Sequence, residues 1–113
     1  MMVTTESSPF GSPTRSRALK AIRLLGESYP RELARLTGNR LSAVQKALQS
    51  LERDGLVAGR STGRLRIYRL DPRFFAAREL DALLLKLAEA DRTLSKRVAE
   101  LRRRPRRTSK PLR

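Results

Sequence analysis

A chain of 113 residues with no Cys and no His excludes disulfides, thiolate and imidazole catalysis, and the commonest ligand sets for zinc or copper. That length sets one domain plus tails, with a modest core that Leu, Ala, Ile and Val must fill, since only five residues are aromatic and none is Trp. The net charge of +15 is unevenly spread: residues 15–70 carry 13 basic and 4 acidic side chains, residues 71–101 carry 6 of each, and residues 102–113 carry 7 basic and none acidic, a pattern that fits a polyanionic partner better than an evenly solvated surface.

Residues 1–9 are polar and aperiodic and are expected to be disordered. They have neither the basic start nor the apolar stretch of a secretory signal. No apolar run approaches the roughly 20 residues needed to cross a bilayer, so a cytoplasmic location is the expectation. Phe10-Gly11-Ser12-Pro13 predicts an entry turn, with Ser12 as cap and Pro13 at the first position of a helix running to about Gly26. Ala18, Leu19, Ile22 and Leu25 form its apolar side, and Arg15, Arg17, Lys20 and Arg23 its polar side, as phosphate contacts or plain surface. A short second helix, PRELARLT, follows Tyr29, and Gly38 supplies the turn after it. A third helix is predicted from about Leu41 to Asp54, with Leu41, Val44, Leu48 and Leu51 as its buried stripe. Ser42 and Gln45 match a capping box, which would start it one residue later.

Two helices joined by a Gly-containing turn form a helix-turn-helix pattern, but any small bundle has such a turn. The stretch after the third helix makes the pattern more specific. Leu56-Val57-Ala58 and Leu65–Leu70 read as two strands around a turn at Ser61-Thr62-Gly63, with Arg60, Arg64, Arg66 and Arg69 along the hairpin. The predicted fold is mainly α with a small β-hairpin: a winged helix-turn-helix over residues 10–71. Asp71-Pro72 then restarts the chain in a long helix over 72–104. Its apolar positions, Leu80, Leu84, Leu87, Leu94, Val98 and Leu101, fall on a coiled-coil-like seam interrupted by Asp91. That seam predicts a homodimer, with those six residues as the interface. Asp91 reads as a solvent-facing register break. Residues 105–113 form a basic tail, expected to be disordered and either to bind nucleic acid without reading sequence or to serve solubility with no fixed contact.

If the third helix enters the major groove, its exposed residues are the candidate readers: Ser42, Ala43, Gln45, Lys46 and Gln49. Gln can bond adenine bidentately, Lys can reach guanine acceptors, and Ala43 can pack on a thymine methyl. The plainer reading makes them surface residues, two of them capping their own helix. Arg60, Arg64 and Arg66 are candidates for minor-groove or phosphate contact, against the plainer reading of an edge strand blunted by charge. The hairpin has no acid of its own between Asp54 and Asp71. Arg31, Arg35 and Arg40 are candidate phosphate contacts around the turn.

The order and spacing of four segments over residues 10–70 resemble the winged helix-turn-helix regulators of the ArsR and MarR kind, ArsR above all. These are Phe10–Arg15, Arg31-Glu32-Leu33-Ala34 with Gly38, Ser42–Leu51 with Gly55-Leu56-Val57, and Gly63-Arg64 with Tyr68-Arg69-Leu70. The resemblance implies a DNA-binding repressor that dimerises through terminal helices. The chain departs from it in three ways. Ala47 stands where many ArsR relatives have His, the ligands of the metal-sensing members are absent, and the basic tail is not a general family feature. A metal-responsive role is therefore out of reach, and any small-molecule effector is open.

No Gly-rich loop follows a strand, no acids pair, and no Ser has a His base, so an enzyme is not expected, nor a cofactor. Double-stranded DNA is the expected partner and no membrane is. The rival classes are a winged-helix protein–protein interaction module and an architectural or RNA-binding protein with a nonspecific basic tail.

Overall fold

The computed structural model describes residues 9–103. The disorder expected of residues 1–8 and of the basic tail lies outside them. Eight elements come in order: α1 (Pro13–Leu25), β1 (Glu27–Ser28), α2 (Pro30–Thr37), α3 (Leu41–Arg53), β2 (Val57–Thr62), β3 (Leu65–Leu70), α4 (Ala77–Ala90) and α5 (Arg92–Arg103).

The helix starts and stops obey local chemistry. Ser12 caps α1, its Oγ accepting from the Arg15 N–H at 3.1 Å, with Pro13 in the first turn, where its missing donor does no harm. Gly38 ends α2 in the left-handed conformation, at φ 76°, which lets its N–H return to the Ala34 carbonyl. Helix α3 begins at Leu41, and no side chain caps it. The expected Ser42–Gln45 capping box does not form, because both residues already lie inside the helix.

The sheet has the order β1-β3-β2, all antiparallel. Strands β2 and β3 pair from Val57↔Leu70 to Thr62↔Leu65, which leaves a two-residue turn, Gly63-Arg64. Gly63 sits at φ 63° and, among the described residues, no non-Gly residue has positive φ, the pattern of a type II′ turn whose twist suits the strands. The first strand of the hairpin is thus longer, and its turn later, than the sequence suggested. Strand β1, two residues that pair with Tyr68 and Arg69, was not expected.

One apolar cluster joins Leu19 and Ile22 of α1, Leu33 of α2, and Val44, Leu48 and Leu51 of α3. Val57 and Tyr68 of the hairpin, Leu84 of α4, and Leu94 and Val98 of α5 complete it. Each such aliphatic side chain, fully buried, contributes about 1.5–3 kcal/mol before entropy is counted.

The C-terminal half differs most from expectation. Residues 72–76 form turns rather than the start of a helix: Asp71 Oδ1 accepts from the Arg73 N–H at 2.9 Å, and its carbonyl accepts from the Phe74 N–H. The single long helix is two helices, broken at Asp91, whose ψ of 87° is not helical. Asp91 Oδ1 accepts from the Leu94 N–H at 3.1 Å, so the acid that interrupts the heptad is the N-cap of α5. It is buried, not solvent-facing, and its Oδ2 lies 2.8 Å from Lys20 Nζ. Lys20, expected on the polar side of α1, is 3% exposed. With the chain bent there, α5 folds back over α1 and α2. Leu80, Leu84, Leu94 and Val98 are consequently buried inside this chain, and Leu101 packs against the same core. They are not an open seam for a second copy, as the heptad suggested.

Candidate nucleic-acid interface

Helix α3 is fixed from behind. Val44, Ala47, Leu48 and Leu51 are buried against the rest of the core. Ser42, Gln45, Lys46 and Gln49 are exposed, and their spacings of 3, 1 and 3 place them on one face. Ala43 is half-buried beside them. Arg53 is exposed and four residues beyond Gln49, so it extends the same face; sequence alone gave no reason to single it out, because it stands in the last turn of the helix. Arg40, at the other end, occupies the N-cap position. Helix α3 and the start of α1 border an open groove lined by Ser12, Thr14, Ala43, Lys46, Ser50 and Arg53, among others.

Arg15 fastens that groove shut on one side. Its guanidinium donates to the Phe10 carbonyl and to Ser50 Oγ, and Nη1 lies 3.1 Å from Asp54 Oδ2. It therefore ties the start of α1 to the end of α3, and its charge is answered by Asp54. Arg23 is likewise committed, at 2.8 Å from Asp81 of α4.

The three hairpin arginines expected to act together are divided by the pleat. Arg66 shares the inner face with Tyr68 and points toward α3. Its Nη2 donates to Glu52 Oε2 at 2.7 Å, and its Cζ lies 5.6 Å from the centre of the Tyr68 ring. Hydrogen bonding to Glu52, and then to Tyr68, raises its pKa above the usual arginine value. Gly59 makes room for this: a Cβ there would stand 2.9 Å from Arg66 Nε. Arg60, on the outer face, makes a two-pronged pair with Glu27 of β1, at 3.0 and 3.5 Å. Arg64 projects from the exposed turn. The hairpin lacks acids in its own sequence, yet α3 and β1 supply one each.

Arg31, Arg35 and Arg40 are all exposed. Arg35 borders a cleft against α5, with Leu36, Arg97, Glu100 and Leu101, and Arg31 stands one turn earlier on α2. Only Arg40 of the three adjoins α3 directly. Arg97 was not foreseen: its Nη1 donates to the Leu36 carbonyl at 2.9 Å, which satisfies the C-terminal end of α2 just before the turn that carries α3. Nothing in a local sequence window could show a contact across 61 positions.

Among the described residues no helix is long and apolar enough to cross a membrane. No protein-family model matches the sequence, and no curated protein is similar to it. Among solved structures the chain is similar to that of the MarR family transcriptional regulator SPO1453 from Silicibacter pomeroyi DSS-3, with a TM-score of 0.53 and 20% sequence identity over 78% of this chain. The chain spans 60% of the length of that protein. At that identity the likeness is one of fold, and with α2, the Gly38 turn, α3 and the β2–β3 hairpin in that order, the fold is a winged helix.

Proposed function

We propose that this chain is a sequence-specific DNA-binding transcriptional regulator of the ArsR/MarR kind, acting as a homodimeric repressor on two half-sites. The DNA-binding part is supported above all by the outer face of α3. Ser42, Gln45, Lys46 and Gln49 are exposed there without an acid or a large apolar side chain among them, and Arg40 and Arg53 flank them. Gln and Lys supply the donors that read base edges in a major groove, and the flanking guanidiniums suit phosphates. Arg64 at the hairpin tip is the wing residue best placed to reach a neighbouring groove, since Arg60 and Arg66 must first give up Glu27 and Glu52. Repression and the ArsR kinship rest on the sequence resemblance. An interaction module would be expected to show exposed large apolar residues on α3; those among the described residues, Leu65, Phe75 and Leu83, are elsewhere.

Selection of bound duplexes from a random pool tests the reading, with recovery of a recurrent motif as the expected result. Gln45→Ala with Lys46→Ala is then expected to weaken binding to that motif by roughly ten- to a hundredfold, at about 1–3 kcal/mol for a good bidentate contact, and binding to random duplex far less. Equal losses on both would sink base reading.

A further inference from the structure

The outer half of the hairpin has little to rest on. Val57 and Tyr68 anchor its base in the core, but residues 60–65, which make the end of β2, the turn and the start of β3, are all exposed. A two-stranded ribbon is marginal by itself in water. The position of Arg64 at the tip therefore depends on what holds this half to the rest of the domain.

Arg66 does so on the side of α3. In the ladder Ser61 stands opposite Arg66 and Gly59 opposite Tyr68, so these four residues share one face of the hairpin. The Arg66 guanidinium is seated among them. Its Nη1 donates to Ser61 Oγ at 3.5 Å, and its Cζ is 5.6 Å from the centre of the Tyr68 ring. A Cβ on Gly59 would stand 2.9 Å from Nε and 3.0 Å from Cζ, so only a glycine leaves this seat open. From it Nη2 donates to Glu52 Oε2, in the last turn of α3, at 2.7 Å. Among the described residues no other side-chain hydrogen bond or ion pair joins α3 to β2 or β3. Arg60 ties the opposite face to Glu27 of β1. A pair as exposed as Arg66–Glu52 adds little to stability. Its consequence is geometric: it fixes how far Arg64 stands from the exposed face of α3, and a surface already held in its bound geometry loses less freedom on docking.

We infer that Arg66 is a positioning residue, a strut that acts through Glu52 to set the hairpin tip against α3, and that it does not itself touch the duplex. This rests on the DNA-binding part of the proposed function. It also gives Glu52, an acid at the edge of a surface meant for phosphates, a role that favours binding.

Binding of the full chain to the selected motif and to random duplex tests it, with Glu52→Ala and Glu52→Gln. Both remove the same negative charge, so charge alone would strengthen binding equally in the two. The strut instead makes Glu52→Ala weaken motif binding by about tenfold, with random duplex bound as before or slightly better. Glu52→Gln keeps an oxygen that can accept from Nη2, and should retain most of the wild-type affinity. Arg64→Ala should cost about tenfold in the wild type and about twofold or less in Glu52→Ala, because residues that act through one contact are not additive. Alanine and glutamine variants that bind the motif alike, or additive losses with Arg64→Ala, would overturn the inference. So would an Arg66→Gln variant that loses affinity for both duplexes alike and lowers the slope of log K against log salt by about 1, since Arg66 would then lie on a phosphate. Nitrogen-15 relaxation without DNA reads the strut directly: Glu52→Ala should lower the order parameters of residues 61–65 and leave those of Val57 and Tyr68 as they are. An unloosened tip overturns the strut whether or not a motif exists. A loosened tip with no motif recovered upholds the strut and overturns sequence reading alone.

Discussion

Asp91→Asn isolates the charge that holds α5 on the helical domain. Asn caps a helix about as well as Asp, so the bond to the Leu94 N–H survives the change. What disappears is the carboxylate 2.8 Å from Lys20 Nζ, in a pair whose side chains are only 4% and 12% exposed. Removing one partner of a buried pair costs about 3–5 kcal/mol where the other charge is left uncompensated; Lys20 has a further interaction, so the low end of that range, about 3 kcal/mol, applies here. Against a domain stability of roughly 5–15 kcal/mol that is a large share. At about 4–8 °C per kcal/mol for a domain of this size, the melting temperature should fall by about 12 °C or more. Asp91→Ala, which also loses the cap, should fall by about 1 kcal/mol further. Urea unfolding followed by circular dichroism gives the free energies directly. Lys20→Met added to Asp91→Asn should recover most of the loss, since a buried ion pair replaced by residues of similar volume is often neutral. A loss below about 1 kcal/mol for Asp91→Asn, as expected of an exposed pair, would show that burial does not govern this contact. A double variant no more stable than the single one would show the same.

Gly59→Ala puts a Cβ against the far end of a flexible side chain, so Arg66 should move off Glu52 while the melting temperature changes by only a few degrees; loss of the Arg66 Hη2 resonance shift in NMR spectra would report the release of the Nη2 donor from Glu52, and an unchanged shift would contradict it. The Asp71 carboxyl is held below its ordinary value of 3.8, first by the hydrogen bond from the Arg73 backbone N–H and then by the Arg73 side chain. A depressed folded pKa contributes stability above the unfolded value that is lost as pH falls through the folded one. Asp71→Asn should therefore flatten the stability curve only below about pH 4, in urea midpoints taken across the acid range. Removing residues 104–113, which carry five of the basic side chains, should weaken binding to all duplexes alike and reduce the slope of log K against log salt by up to about 4–5; an unchanged slope would mean that the tail does not touch phosphates.

The winged domain was legible because its signals are local: Ser12-Pro13, Tyr29-Pro30, Gly38 and the spacing of Val44, Leu48 and Leu51 each act within a few residues. The C-terminal half was not, for a physical reason. Apolar residues at alternating spacings of 3 and 4 describe a coiled-coil seam and a core-facing helix equally well. Leu80, Leu84, Leu94 and Val98 satisfy both, and only the bend at Asp91 decides between them. The one local clue is Asp91-Arg92-Thr93-Leu94 itself, in which a good capping acid stands two residues before a β-branched Thr. The partners of Arg60 and Arg66 were invisible for another reason: Glu27 and Glu52 come from elements 33 and 14 positions away.

Those pairs also change what the net charge means. Between residues 15 and 70 three of the four acids are spent on arginines: Glu27 on Arg60, Glu52 on Arg66 and Asp54 on Arg15. Asp81 and Asp91 reach in from the neutral half to answer Arg23 and Lys20. The cations thus neutralised lie on the hairpin faces and along α1. Around α3, Arg40, Lys46 and Arg53 have no acid against them among the described residues, nor has Arg64 at the hairpin tip. Part of the excess positive charge therefore stands at the helix and turn that the proposal brings to DNA, alongside Arg31 and Arg35 of α2, Arg69 of β3 and the basic run of residues 102–113. An even spread of the same total would steer a duplex to no particular face. On the proposed reading, Arg40, Lys46, Arg53 and Arg64 would draw phosphates toward the ends of α3, where the four exposed candidate readers are already aligned.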